Sequence, residues 1–295
     1  IDPRAGRFVG EGDLHLALAP GTDAVVANGI LRELYVNGWI DEAFVVDRTT
    51  GFPDALAAAM PWTLNEVAAV ADVPVRQVKE AARLIGEAQR AMYLHARGAE
   101  QQTFGTMNVL SFINVALARG HVGRTGCGID MLTGQRNGQG GREWGQRCDQ
   151  LPAGRRIDDP EHRAEVAAAW GIELDELPGR GASYVEVLDM AGRGEVKGLL
   201  SICTNMKVSA PDRTRLVEAL DRLEHFVVID PFLSSSAEHA TVVLPGSTFA
   251  EEDGTITTIE GRVIRIDQAV APVARRGDLD VIRNLARRLG AAHHF

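Results

Sequence analysis

The sequence predicts an α/β fold of two lobes, each built on a mostly parallel sheet. Three observations predict it. Short apolar runs with strand character alternate with 3.6-residue helical patterns, which implies a sheet covered by helices. The alternation restarts after Pro178. Polar residues such as Asn205 and Asp230 fall just past strand-like runs, at the carboxyl ends where open parallel sheets take their ligands. The lobes are expected to divide near Leu132–Gln135, as 1–133 and 134–295.

Element by element, Leu14–Leu18 alternates like a strand. Pro20-Gly21-Thr22-Asp23 is a turn with Thr22 or Asp23 placed to cap a helix. That helix carries Val25, Val26, Ile30, Leu31 and Leu34 and stops at Gly38. Thr63-Leu64-Asn65-Glu66 has the form of a capping box. Pro74 suits the first turn of a further helix through Val78, Ala81, Ala82 and Ile85. Ala91–Arg97 reads as a strand entering a loop bounded by Gly98 and Gly105. An apolar helix then runs to about Ala118, and Gly120–Gly128 is rich in turns.

In the second half, Asp159-Pro160 opens a helix to Trp170, and Pro178–Gly181 is a linker turn. Ser183–Met190 is helical. Leu199–Cys203 reads as a short buried strand, followed by Thr204-Asn205. A helix spans Asp212–Leu223. Phe226–Ile229 and Thr241–Leu244 are strands, Thr255–Ile266 is a hairpin, and Leu279–Leu289 is the last helix.

With 295 residues and 45% hydrophobic content the chain has enough apolar material for one large or two ordinary domains. A net charge of −9 argues against a general nucleic-acid or anionic-membrane surface. No apolar run approaches the roughly 18 residues of a membrane span. The chain starts at Ile1 rather than Met, so the lack of a signal peptide excludes nothing. Cys127, Cys148 and Cys203 are far apart with no C-x-x-C, and the eight histidines form no H-E-x-x-H. Neither a zinc nor an iron–sulfur site has local support; small buried cysteines account for the three. His293-His294 reads as a loose terminus.

Leu132–Gln146, LTGQRNGQGGREWGQ, packs five glycines among hydrogen-bonding side chains. Glycine lets a ligand approach the main chain closely. Composition alone would also suit a flexible polar loop, and the absence of Gly-Lys-Ser/Thr rules out a P-loop. The string itself resembles the active-site loop of the molybdopterin-guanine-dinucleotide oxidoreductases, the dimethyl sulfoxide reductase family. It is most like the assimilatory and periplasmic nitrate reductase branch, L-T-G-Q-x-N-x-x-G-G-R-E-x-G. The resemblance extends from Ile1 to about Gly290. It implies two Rossmann-like lobes, each binding one pterin dinucleotide.

The resemblance also implies roles for residues. Pro20-Gly21-Thr22-Asp23 would touch the guanosine end of one dinucleotide, with Asp2 beside it; Gly21, Thr22 and Asp23 would equally make an ordinary helix start. Gln101 fits the family's G-x-x-Q, although Arg97 holds a position often taken by Met. Asn205, in Cys203-Thr204-Asn205-Met206, and the strand-end pair Ile229-Asp230 would hold the second dinucleotide, with Asp278 as another guanosine contact or a plain N-cap. Met206 replaces a commoner Pro, and Glu252 replaces a cofactor-contacting Lys of the periplasmic enzymes.

The implied cofactor is molybdenum in a bis(molybdopterin guanine dinucleotide). The metal ligand and an iron–sulfur cluster are expected upstream of Ile1, where Ile1-Asp2-Pro3-Arg4 reads as the end of a strand begun earlier. The chain thus reads as an internal fragment of a larger catalytic subunit, inactive alone. Gln135, Arg142 and Thr133 are the candidate catalytic residues, with no metal ligand in the chain. Thr133 stands where formate dehydrogenases carry a formate-orienting Arg, and Arg142 corresponds to the Arg facing nitrate. The implied reaction is nitrate reduction to nitrite, with formate oxidation as the alternative. A non-catalytic scaffold, like the degenerate domain of respiratory NADH dehydrogenase, is the alternative of another class. The implied electron donor is ferredoxin, flavodoxin or an NADH-linked reductase subunit. The implied compartment is the bacterial cytoplasm, with the periplasm also open.

Overall fold

A computed structural model describes residues 1–7, 9–274 and 276–291. His293-His294 lies outside them. The chain divides into two compact units, Ile1–Gly134 and Gln135–Phe295.

The first unit is mainly helical. Its elements are α1 (Asp23–Val36), α2 (Glu42–Arg48), α3 (Phe52–Ala59), α4 (Leu64–Ala71), α5 (Val75–Glu87), β1 (Met92–His95), α6 (Arg97–Glu100), α7 (Gly105–Ala118) and β2 (Gly128–Met131). The apolar stripe of α1, Val26, Ile30, Leu31 and Leu34, is buried with Val67 and Ala71 of α4, Val78 and Ala82 of α5, and Val115 of α7. At the start of α4, Thr63 Oγ1 accepts from Glu66 N, one of the two bonds of a capping box, and Pro74 is the N-cap of α5, one residue before its first turn. Strands β1 and β2 pair in parallel, Met92 with Gly128 through His95 with Met131.

The second unit contains α8 (Gly138–Glu143), the two-residue strands β3 (Gln150–Leu151) and β4 (Arg155–Arg156), α9 (Pro160–Trp170), α10 (Tyr184–Gly192), β5 (Gly198–Ile202), α11 (Met206–Ser209), α12 (Arg213–Asp221), β6 (His225–Asp230), β7 (Val242–Pro245), β8 (Gly254–Thr257), β9 (Val263–Ile266) and α13 (Asp278–Arg288). A three-stranded parallel sheet has the order β5-β6-β7. Phe226 and Val228 of the central strand are buried against Leu188 and Ala191 of α10 and Leu216, Ala219 and Leu220 of α12. Strands β8 and β9 form the expected antiparallel hairpin. The protein is thus mixed α/β with small, mostly parallel sheets.

Several elements differ from expectation. Leu14–Leu18 is extended but joins no described sheet. Its alternation comes from Leu16 and Leu18 burying into the helical core, while Leu16 O accepts from Asp2 N. Residues 1–4 likewise form no strand. The run expected as a buried strand is β5, an edge strand with only Ser201 buried. Helices α2 and α3 and strand β2 were not foreseen, and Arg97 starts α6 rather than ending β1. The glycine-rich loop holds a short helix, α8.

Candidate functional site

In the first unit, the turn before α1 meets the loop that follows β1. Gly21 has φ +87, a left-handed angle that suits glycine. Thr22 is the N-cap of α1, but its hydroxyl donates to Ala19 O at 2.6 Å rather than capping the helix. Asp23 accepts from Gln102 Nε2 at 3.0 Å. Gln102 also donates to Gly98 O and lies beside Gly21. The glutamine that joins the two segments is therefore Gln102. Gln101 is exposed at the end of α6, its N–H donating to Arg97 O. Asp2 is held to the extended segment: its N–H donates to Leu16 O, its carbonyl takes His15 Nε2 at 2.8 Å, and its carboxylate takes Arg4 N–H.

In the second unit, the carboxyl ends of β5, β6 and β7 converge with the start of α13. Cys203 follows β5 at φ +50, and its N–H donates to Ile229 O at 2.8 Å. Its thiol points at Asp278 Oδ2, 3.7 Å away. Burial, with the negative charges of Asp278 and Asp230, pushes that thiol up to about 11. Asp278 Oδ1 accepts from Ser247 N at 2.9 Å. Asp230 Oδ1 accepts from Phe232 N at 2.9 Å, which fixes the turn after β6. Ile229 keeps its side chain in the interior at 1% exposure.

Asn205 uses its side-chain oxygen to hold the segment after Asp230, accepting from Ser235 Oγ, Ser236 N and Ser236 Oγ at 2.8–3.3 Å. Gly246 lies between the two aspartates: a Cβ there would come within 3.1 Å of the Asp230 backbone and 3.2 Å of Asp278 Oδ1. Asn205, Asp230 and Asp278 thus share one strand-end edge.

The glycine-rich segment is fastened to the hairpin. Asn137, at φ +60, accepts from Thr257 N at 3.0 Å, and Glu143 accepts from Thr257 Oγ1 at 2.7 Å. A Cβ at Gly140 would lie 2.1 Å from Asn137 Oδ1, so glycine is needed for the turn to close. Arg142 lies on α8 between the two fastened residues and is exposed. Thr133 and Gln135 are also exposed, each with an interaction of its own. Arg136 stacks over the Phe249 ring, 3.7 Å from its centroid. Among the described residues no group of three or more His, Cys, Asp or Glu could hold a metal ion. No described helix is long and apolar enough to cross a membrane.

The sequence model of the molybdopterin oxidoreductases matches residues 1–288. The chain belongs to that family. As a molybdopterin oxidoreductase it is 40% identical, over its full length, to the assimilatory nitrate reductase catalytic subunit of Bacillus subtilis strain 168, and covers 42% of that protein. It is 36% identical over 99% of its length to F420-dependent formate dehydrogenase 2 subunit alpha of Methanococcus maripaludis, covering 43% of it. The acetylene hydratase of Pelobacter acetylenicus shares the fold, with a TM-score of 0.78 at 18% identity over the whole chain and 43% of that structure. The chain therefore spans less than half the length of these relatives.

Proposed function

We propose that this chain supplies the dinucleotide-holding units of a molybdenum oxidoreductase catalytic subunit that reduces nitrate to nitrite. In this reading 1–133 serves one pterin guanine dinucleotide and 134–295 the other. The donor set supports it: a guanine edge offers neighbouring N–H donors, and Asp230 and Asp278 present carboxylate acceptors at one strand-end edge beside Gly246, where a side chain would crowd both. In the first unit, Gly21 and Thr22 precede, and Asp23 opens, a 14-residue helix whose N-terminal N–H groups favour an anionic group. When bound, the molybdenum cofactor would supply the oxygen-atom transfer.

The chain's own residues orient the substrate. Arg142 is the observation that carries the nitrate reading. Its helix is held by Asn137 and Glu143 against Thr257, so the guanidinium leaves the surface from a fixed base and can pair two oxygens of a planar oxyanion. Gln135 adds an amide, and Thr133 a hydroxyl in place of the cation that orients formate. Formate oxidation remains the second reading, supported by the 36% identity to the methanogen enzyme. Ferredoxin, flavodoxin or an NADH-linked subunit would supply electrons, an iron–sulfur cluster elsewhere in the subunit would relay them, and the cytoplasm would be the compartment.

In the holoenzyme, Arg142→Ala is expected to lower kcat/KM for nitrate roughly tenfold to a hundredfold, the worth of a charge-assisted hydrogen bond. Arg142→Lys should restore only part of it, since the planar fork is lost. Dye-linked nitrate reduction measures this. Unchanged kinetics in Arg142→Ala would remove Arg142 from the site, and formate oxidation without nitrate reduction would overturn the substrate.

A further inference from the structure

The resemblance gives this position's cofactor contact to a lysine of the periplasmic enzymes, so the pterin-dinucleotide reading leaves Glu252 without a role. Its surroundings give it one. Glu252 Oε1 accepts from the backbone N–H of Asp278 and from the hydroxyl of Ser247. Ser247 Oγ also lies 3.2 Å from Asp278 Oδ1. A serine hydroxyl has one proton to give. Glu252, the nearer acceptor, takes it, and Asp278 Oδ1 keeps the Ser247 N–H at 2.9 Å. Among the described residues, the donor at Asp278 Oδ2 is the weak thiol of Cys203, at 3.7 Å. The aspartate is held firmly on one oxygen and left open on the other. A Cβ on Gly277 would sit 2.8 Å from Glu252 Oε1, so a side chain there would push the carboxylate aside.

We infer that Glu252 is a positioning residue for Asp278, and that it sets guanine selectivity in the second dinucleotide site. It acts by anchoring the first N–H of α13 and by withdrawing the Ser247 proton from Asp278. The carboxylate keeps acceptor capacity for the N–H groups that guanine has and adenine lacks on its pairing edge. A lysine at this position would supply donors and remove both acceptances. This inference rests on the proposed dinucleotide site.

The test is binding of guanosine monophosphate and adenosine monophosphate to the cofactor-free protein by calorimetry, with the guanine content of purified holoenzyme as a second readout. Glu252→Ala is expected to lower guanosine monophosphate affinity about tenfold, the worth of one hydrogen bond to a charged group, and to leave the weaker adenosine monophosphate binding unchanged. Glu252→Gln keeps the acceptor oxygen and should retain most of the selectivity. Gly277→Ala displaces the Glu252 carboxylate while keeping its charge, and should reproduce the loss even if Glu252→Ala folds poorly. Asp230→Ala separates the two levels. If it leaves guanosine monophosphate binding intact, the dinucleotide reading itself fails. If it abolishes binding while Glu252→Ala and Gly277→Ala keep wild-type selectivity, the role of Glu252 alone is overturned. An equal loss of both nucleotides in the Glu252 variants would mean a merely structural residue, and would also overturn the inference.

Discussion

Cys203 is exposed on the surface, yet its thiol faces Asp278 and lies in the field of Asp230 and Glu252. Thiolates, not thiols, react with alkylating agents. With its ionisation pushed up to about 11, Cys203 should alkylate far more slowly at pH 8 than an ordinary exposed cysteine. Asp278→Asn should speed it by removing a negative neighbour, and iodoacetamide labelling followed by peptide mass spectrometry reads both rates. No change in the variant would mean that Asp278 does not set the thiol, leaving burial and the charges of Asp230 and Glu252.

The residues around Cys203 divide by how legible they were. Asn205 and Asp230 could be placed from sequence, because each follows an apolar run that becomes a parallel strand. Gln102 could not be told from Gln101, since the choice depends on the phase of the short helix α6 that ends just before them. In the sequence Glu252 is a departure without a role, because its partner Asp278 lies 26 residues further on.

At the scale of elements, helices with a buried stripe were legible, and α9 was legible from its Asp159-Pro160 start alone. The apolar spacing of α1 and α5 projects into the first core. Helix α2 has no buried residue, so no hydrophobic period marks it. The alternation of Leu14–Leu18 was real, but a period of two records which side chains face a core, not whether a neighbouring strand supplies hydrogen bonds. Close helix packing also depends on single glycines. A Cβ on Gly86 of α5 would meet the Trp39 ring at 2.4 Å. Gly86→Ala is therefore expected to destabilise the first unit by about 1–3 kcal/mol through overpacking, against the small gain alanine brings to a helix interior. Chemical denaturation measures it; a neutral or stabilising result would mean that Trp39 can step aside.

Across the whole molecule, the two units keep separate cores, and they report differently. Trp39 and Trp62 are partly buried against the first core, whereas Trp144 and Trp170 are 77% and 55% exposed. Changes in tryptophan emission on unfolding should chiefly follow the first unit. That unit contains His121, 1% exposed, placed between Tyr93 OH at 2.9 Å and Ala88 O at 3.2 Å. Burial, with Arg119 and Arg124 nearby, lowers its pKa below the usual 6.5. The neutral ring suits both partners, accepting from Tyr93 and donating to Ala88.

Because the folded value is depressed, the unfolded chain binds the proton first. The stabilisation is complete above pH 6.5 and is lost as pH falls from there through the folded value. The denaturation midpoint followed by tryptophan emission should therefore drop on acidification below pH 6.5. His121→Gln should flatten that slope, and an unchanged slope would assign it to other groups.

Thr257 also has a consequence in time. It grips Asn137 and Glu143 across 120 and 114 residues of chain. On a ribosome that distance is a delay: the glycine-rich segment leaves the exit tunnel long before its fastener is made. Until the hairpin exists, nothing on the Thr257 side holds Arg142's helix, so the segment proposed to meet the substrate acquires this support only late in synthesis.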